Sequence, residues 1–304
     1  MLPTVSIYPG TSGWSYPAGY GKWNGVFYPK GRKVDELAYY AERFPAVEVN
    51  VTFYRLPSLE TVRGWVERTP SSFLFSVKLF RKFTHPEFYA REEGLSPEIT
   101  PEDVAGMRGV LDVLAARERL GAVLVQYADA FSQREENVAA VGRTLERFRE
   151  YPLAVELRHS SWQNPRTQEL LTAYRATRAR IDEPFFSNLD EPSISPQPLS
   201  YWRLHGRNAA EWRQPKAGAH RYDYLYGEHE LDELTQVIER HLQPHTRAFV
   251  FFNNHPGGQA VANAIQLASR LHLPLPYQKF ANLSNTFPAL RAITGEEGGQ
   301  LGLI

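Results

Sequence analysis

Short apolar runs of four to eight residues alternate along the chain with longer amphipathic stretches, and the runs end in polar or ionisable residues instead of turn residues. Glu48 closes AVEVN, Lys78 FLFSVK, Gln126 AVLVQ, Glu156 and Arg158 LAVELR, Asp182 RARID, His205 YWRLHG, and Asn253 and Asn254 FVFFNN. Such runs predict strands at about 4–10, 46–53, 73–79, 121–127, 153–158, 177–182, 200–205 and 247–253. Between them, VDELAYYAERF, SLETVRGWVERT, PEDVAGMRGVLDVLAARE, ENVAAVGRTLERFREY, NPRTQELLTAYR, HELDELTQVIERHL and QAVANAIQLASRL carry helical spacing. Ser58 and the Thr100-Pro101 pair supply helix-start signals. Eight strands alternating with helices predict a single (β/α)8 TIM-type barrel domain spanning 1–304, with a core of about 4–272 and a C-terminal extension of about 273–304. The connection 183–199, between strands six and seven, contains Pro184, Pro192, Pro196 and Pro198 and is expected to be irregular. An open doubly wound sheet is the competing architecture. It lacks a glycine-rich phosphate turn after the first strand, because aromatic and hydroxyl residues follow the glycines of GTSGWS.

Residues i and i+2 of a strand share a face, so Glu156 and Arg158 point one way while Val155 and Leu157 point the other. The same phase pairs Glu48 with Asn50, Ser76 with Lys78, Arg180 with Asp182, and Arg203 with His205. Burying one such charge alone costs several kcal/mol. A ring of them therefore implies mutual pairing or a polar ligand at the strand tips, where α/β proteins place their chemistry. The plain alternative is a structural ion-pair network.

Composition narrows the classes. Lys plus Arg and Asp plus Glu both number 34, so no net field draws nucleic acid or an anionic membrane, although a local basic patch stays open. With no cysteine, disulfides, thiolate nucleophiles, iron–sulfur clusters and thiolate zinc sites are excluded. No stretch reaches the roughly 18 apolar residues of a membrane span, and the N-terminus MLPTVSIYPG has no signal-peptide pattern. The expectation is a soluble, cytoplasmic protein with no membrane partner.

GTSGWSYP followed by WNGVFYPKG, then LAYYAERFPAVEVNVTFYRLPSLETVRGWVERTP, FLFSVKL with THP, AVELRHSSW, YWRLHGR and FVFFNNHPGG, together resemble the YecE-like family, also called domain-of-unknown-function family 72. The resemblance runs from about residue 8 to 270. It implies an eight-stranded TIM-type barrel distantly related to sugar-isomerase and endonuclease barrels, and it brings no established reaction. One departure is LVQYADAF, with Tyr127 and Ala128 where the family more often has a Gln-Leu-Pro-Pro pattern, while Gln126 is retained.

Candidate roles follow from residue chemistry. Lys78 is either a proton-transfer or Schiff-base amine or, held protonated by Glu48 and Glu156, a charge clamp; the clamp is the favoured reading. Glu156 or Glu48 would serve as base and His205 as its acid or base partner. Arg158, His159, Arg203 and Arg207 offer donors to a phosphate or carboxylate. Trp14, Tyr54 and Trp162 are expected as site walls, and Gln126, Asp182, Asn253 and Asn254 as polar ligand contacts. His85 and His255 follow strands three and eight on loops that would reach the cavity, and Gly257 with Gly258 would present amides to an anion or form a plain turn. The sequence demands no cofactor. A divalent cation held by Glu48, Glu156, Asp182 and His205 is an alternative without a local motif behind it. The functional expectation is a cavity for a small polar or anionic ligand, with an enzyme acting on a sugar or sugar phosphate by proton abstraction or hydrolysis as its sharper form. A non-catalytic sensor and a nucleic-acid-binding or processing barrel are the alternatives. Oligomeric state is not legible.

Overall fold

Runs rich in Val, Leu, Ile and Phe, too short for helices and capped by polar residues, form the strands, and the segments of helical period form helices over them. The structure is a computed structural model and describes residues 6–31, 33–191, 195–213 and 220–295. In chain order the strands are β1 (Ser6–Thr11), β2 (Ala46–Val49), β3 (Leu74–Lys78), β4 (Leu120–Gln126), β5 (Leu153–Glu156), β6 (Thr177–Arg178), β7 (Arg180–Glu183), β8 (Phe186–Ser187), β9 (Leu199–Leu204) and β10 (Arg247–Phe252). They form two five-stranded sheets, ordered β1-β10-β9-β7-β8 and β2-β3-β4-β5-β6. Every pairing is parallel except the small β7–β8 hairpin. The class is thus α/β with parallel sheets, as the alternation of runs predicts.

The sheets meet at two places. Ser12, just past β1, forms a parallel bridge to Glu48 in β2, and the Gly13 amide donates to the Glu48 carbonyl at 2.8 Å. At the other junction the predicted strand 177–182 changes sheets at Ala179: β6 pairs with β5, and β7 pairs with β9.

The pleat separates two cores. Val47, Phe75, Val123, Val155, Trp202 and Phe252 face the helices in the larger cluster. The opposite faces of both sheets contribute Ala46, Leu74, Leu124, Ala154, Ala179, Tyr201 and Phe249 to a second cluster, floored by Tyr8. Polar residues that share this second phase continue above it toward the strand tips.

Start signals act as expected. The Ser58 hydroxyl accepts from the Thr61 amide at the head of helix Leu59–Glu67, and Thr100 with Asp103 forms a capping box on helix Pro101–Ala115. The second predicted strand is shorter than 46–53, because a helical turn, Val51–Tyr54, begins directly after Asn50. In the Pro-rich connection the β8 hairpin forms and no helix appears among the described residues; Pro192 lies outside them. Beyond residue 272 the chain makes 3-10 turns at Tyr277–Asn285 and packs Phe280 against Phe44 at 5.3 Å. Residues 296–304 lie outside the description. No described helix is long and apolar enough to cross a membrane.

Candidate functional site

The polar tips converge around one guanidinium. Arg203 of β9 donates from Nε and Nη2 to the two oxygens of Glu48, both at 2.8 Å, and from Nη1 to Glu156 at 2.7 Å and to Gln126 at 3.0 Å. Glu48 also accepts from Tyr201 at 2.7 Å and Ser12 at 2.8 Å. Arg158 donates from Nε to Glu156 at 2.6 Å and sets Nη1 3.0 Å from Asp129 and 3.3 Å from Glu183. Glu48 and Glu156 are fully buried. Burial alone would raise both carboxyls; Arg203 for the first, Arg158 and Arg203 for the second, outweigh it and hold both below the usual carboxylate range.

His205 fits between the two arginines as a neutral ring. Arg158 Nη2 donates to its Nε2 at 3.2 Å, and a guanidinium has no acceptor, so Nε2 is unprotonated. On the other side of the ring, Nδ1 lies 2.9 Å from the Asn253 side-chain amide. Burial first, then Arg158, Arg203 and Lys78, push the imidazole well below its ordinary value.

Above this network opens a cavity of about 860 Å³. Arg55, Lys78, Arg158 and Arg203 line it, with aromatic walls from Trp14, Tyr16, Tyr54, Trp65 and Tyr222, and among the described residues no Asp or Glu contributes to its wall. The carboxylates stand behind the arginines, not beside the ligand space. Gln126, Asn50, Asn253 and His255 add neutral polar edges. Such a volume suits a small organic molecule.

Lys78 differs from the other cations. Its Nζ sits 3.9 Å from the centre of the Phe53 ring, and no described ion pair or hydrogen bond reaches it, because the carboxylates meant to clamp it are saturated by arginines. Burial, then the charge of Arg203, overcome Glu156 and Glu48 and lower the amine to about 7. The expected clamp contacts do not form among the described residues: Glu48 and Glu156 bond to arginines and not to Lys78.

Trp14, Tyr54, Lys78, Gln126, Arg158, Arg203 and Asn253 line the cavity, with Glu48, Glu156 and His205 directly behind them. The remaining expected site residues are elsewhere. Asp182 accepts from Arg207 and Tyr226, both at 2.8 Å, in a separate network, so neither Asp182 nor Arg207 faces the cavity. The 3-10 turn Ser160–Trp162 folds Trp162 back to donate to the Phe131 carbonyl at 2.6 Å, while His159 caps that turn. Asn254 bridges the Tyr224 carbonyl and Asn263. His255 reaches the cavity and stacks on Tyr16, whereas His85 sits edge-on to Phe53 outside its wall. Gly257 and Gly258 spend their amides on Gly21 and His255 carbonyls, as a plain turn does. The four-residue cation set does not assemble: Arg203 stands between Glu48 and Glu156, Asp182 is held elsewhere, and no group of three or more His, Asp and Glu suited to a metal occurs among the described residues.

One phase expectation is also corrected. Arg180 and Asp182 do not share the inner face; Ala179 lies in the inner core and Glu183, the residue in register with it, reaches Arg158. Burial raises the Glu183 carboxyl to about 7 against the pull of Arg158. Arg55, Glu183, Asp129 and Tyr222 are among the site residues that sequence reasoning missed. For Glu183 the signal was present as the last residue of RIDE, read one position short. Asp129 follows the Gln126 strand tip, and Tyr222 lies in an aperiodic loop without a pattern to mark it.

An α/β protein of parallel sheets with a cationic, aromatic-walled cavity at its strand tips is thus defined. Residues 8–285 match the family described as Protein of unknown function DUF72, and the chain belongs to that family. The match runs beyond residue 270 and into the segment expected to be an extension. The UPF0759 protein YunF of Bacillus subtilis is 28% identical over 279 residues, covering 88% of this chain and 95% of that protein. The crystal structure of the DUF72 family protein EF0366 of Enterococcus faecalis superposes with a TM-score of 0.74 at 26% identity, over 89% of this chain and 96% of that one. That of the DUF72 family protein TM1631 of Thermotoga maritima gives 0.70 at 34% identity, over 88% and 99%.

Proposed function

We propose that this protein is a single-domain (β/α)8-type barrel whose strand-tip cavity binds a small organic anion, such as a sugar acid or sugar phosphate, and acts on it with Lys78 as the reactive group. For the barrel, the support is the Ser12–Glu48 bridge, the run 177–183 that serves both sheets, and the second core shared by their opposed faces. For the ligand, the carrying observation is a wall to which, among the described residues, Arg55, Arg158, Arg203 and Lys78 contribute and no carboxylate does. Arginine forks hold carboxylate or phosphate groups, and aromatic faces cover a sugar ring. Glu48 and Glu156 are not the base in this reading, since each accepts charge-assisted hydrogen bonds from arginine and is held ionised by them.

Thermal unfolding in the presence of phosphate, gluconate, glucose 6-phosphate and neutral glucitol tests the reading. The anions should raise the melting temperature, by the equivalent of about 2.7 kcal/mol at a hundredfold excess over Kd, with less effect from the neutral polyol. Arg158→Gln should weaken the shift. Tight binding of a long oligonucleotide at physiological salt, with no stabilisation by the small anions, would overturn it.

A further inference from the structure

Resting on the anion-cavity reading, we infer that Lys78 is a nucleophile that forms an imine with an aldehyde or ketone carrying a carboxylate or phosphate group. Three placements converge on this. Lys78 lines the cavity, and its Nζ lies against the face of Phe53, a low-dielectric setting. The two carboxylates that would otherwise keep it protonated are engaged by Arg203 and Arg158. Those same arginines line the cavity, so an anionic group held by them brings the rest of a small ligand toward the amine. The lowering of the amine to about 7 agrees with this geometry, since only the neutral form carries the lone pair that attacks.

In the reaction, the Nζ lone pair forms a bond to the carbonyl carbon while the carbonyl π pair moves to oxygen. Both protons of the attacking nitrogen, passed on through the medium, end on that oxygen, which departs as water as its C–O bond breaks, and the C=N double bond forms. The amine and carbonyl together therefore yield an imine and one water, with no oxidation or reduction. Protonated at nitrogen, the imine draws electrons from the neighbouring carbon. A free aldehyde-lysine adduct on an exposed side chain lacks the anion contacts, so selectivity between lysines is the distinguishing sign.

The test incubates the full chain with pyruvate, glyoxylate or dihydroxyacetone phosphate, adds borohydride, and locates the reduced adduct by intact-mass and peptide mass spectrometry. One carboxylate-bearing or phosphate-bearing probe should label the peptide containing Lys78 at least tenfold over exposed Lys22, Lys30, Lys33 and Lys279, which serve as internal controls. Excess inorganic phosphate should suppress the labelling. Lys78→Met should abolish it, and Lys78→Arg, which keeps the charge, serves if the methionine variant does not fold. Thermal shifts with the same probes separate the two readings. Stabilisation by a probe without a Lys78 adduct overturns imine formation and leaves the anion cavity standing, whereas neither stabilisation nor adduct overturns both. Uniform labelling of all lysines also overturns the nucleophile assignment.

Discussion

Arg203 shows how a single residue organises the site. Its side chain is almost fully buried among Glu48, Glu156 and Gln126, so removing it leaves Glu48 desolvated without a charge partner and Glu156 with Arg158 alone. Arg203→Met should cost about 3–5 kcal/mol in denaturant unfolding, and adding Glu48→Gln should recover part of that loss, a non-additivity of contacting residues. An Arg203→Met variant as stable as the parent would mean that the network contributes nothing to the fold. From sequence, the inward phase of Glu48, Glu156 and Arg203 was legible because each ends an apolar run of period two. Their pairing was not, since 155 residues separate Glu48 from Arg203 and nothing local says that one guanidinium will take both carboxylates.

At the scale of the element, close approach matters more than propensity. A Cβ built on Gly10 of β1 would stand 2.3 Å from the Ala46 carbonyl oxygen of β2, backbone that has no way to move aside. Gly10→Ala should therefore destabilise by about 3 kcal/mol, the upper part of the overpacking range. Gly64→Ala is the control: nothing lies within 4 Å in helix Leu59–Glu67, and alanine there should stabilise by about 0.5–1 kcal/mol. Equal effects of the two in equilibrium unfolding would remove the steric account. The helices were legible because their period and caps are local. The strand expected at 177–182 was read with the wrong phase, because Arg180 and Asp182 look like an inward pair and tertiary packing instead turns Ala179 and Glu183 inward. Arg180 finds its place outside, over the Trp202 ring and at the Leu189 carbonyl.

Across the whole molecule, two groups shape the pH dependence in opposite directions. Glu183 is raised from 4.5 to about 7, so the folded state binds the extra proton between those values. Its contribution is complete below 4.5 and is lost as pH rises through 7, about 3 kcal/mol in all. Lys78 is lowered from 10.5 to about 7, so the unfolded state binds the extra proton above 7 and stability rises from there toward 10.5. A stability minimum near neutral pH is the expected outcome in unfolding free energies measured from pH 5 to 10. Glu183→Gln should flatten the acid side of that minimum and Lys78→Met the alkaline side. A profile unchanged in both variants would contradict these assignments. Glu48 and Glu156, held low by their arginines, add a separate loss of stability only below the ordinary carboxylate range.

By itself the sequence determined the α/β class, the alternation of strands and helices, most of the strand tips and the family motifs, because hydrophobic period, caps and motif order are properties of neighbouring residues. Tertiary structure alone decided which tip residues face a ligand. Charge compensation is a three-dimensional matter: Arg203 and Arg158 took Glu48 and Glu156, Asp182 and Arg207 paired in a network of their own, and Lys78 stayed at the cavity with no ion-pair partner among the described residues. A lysine beside two glutamates in a list of strand tips reads as a clamp, and only the positions of the guanidiniums show that both glutamates are already taken.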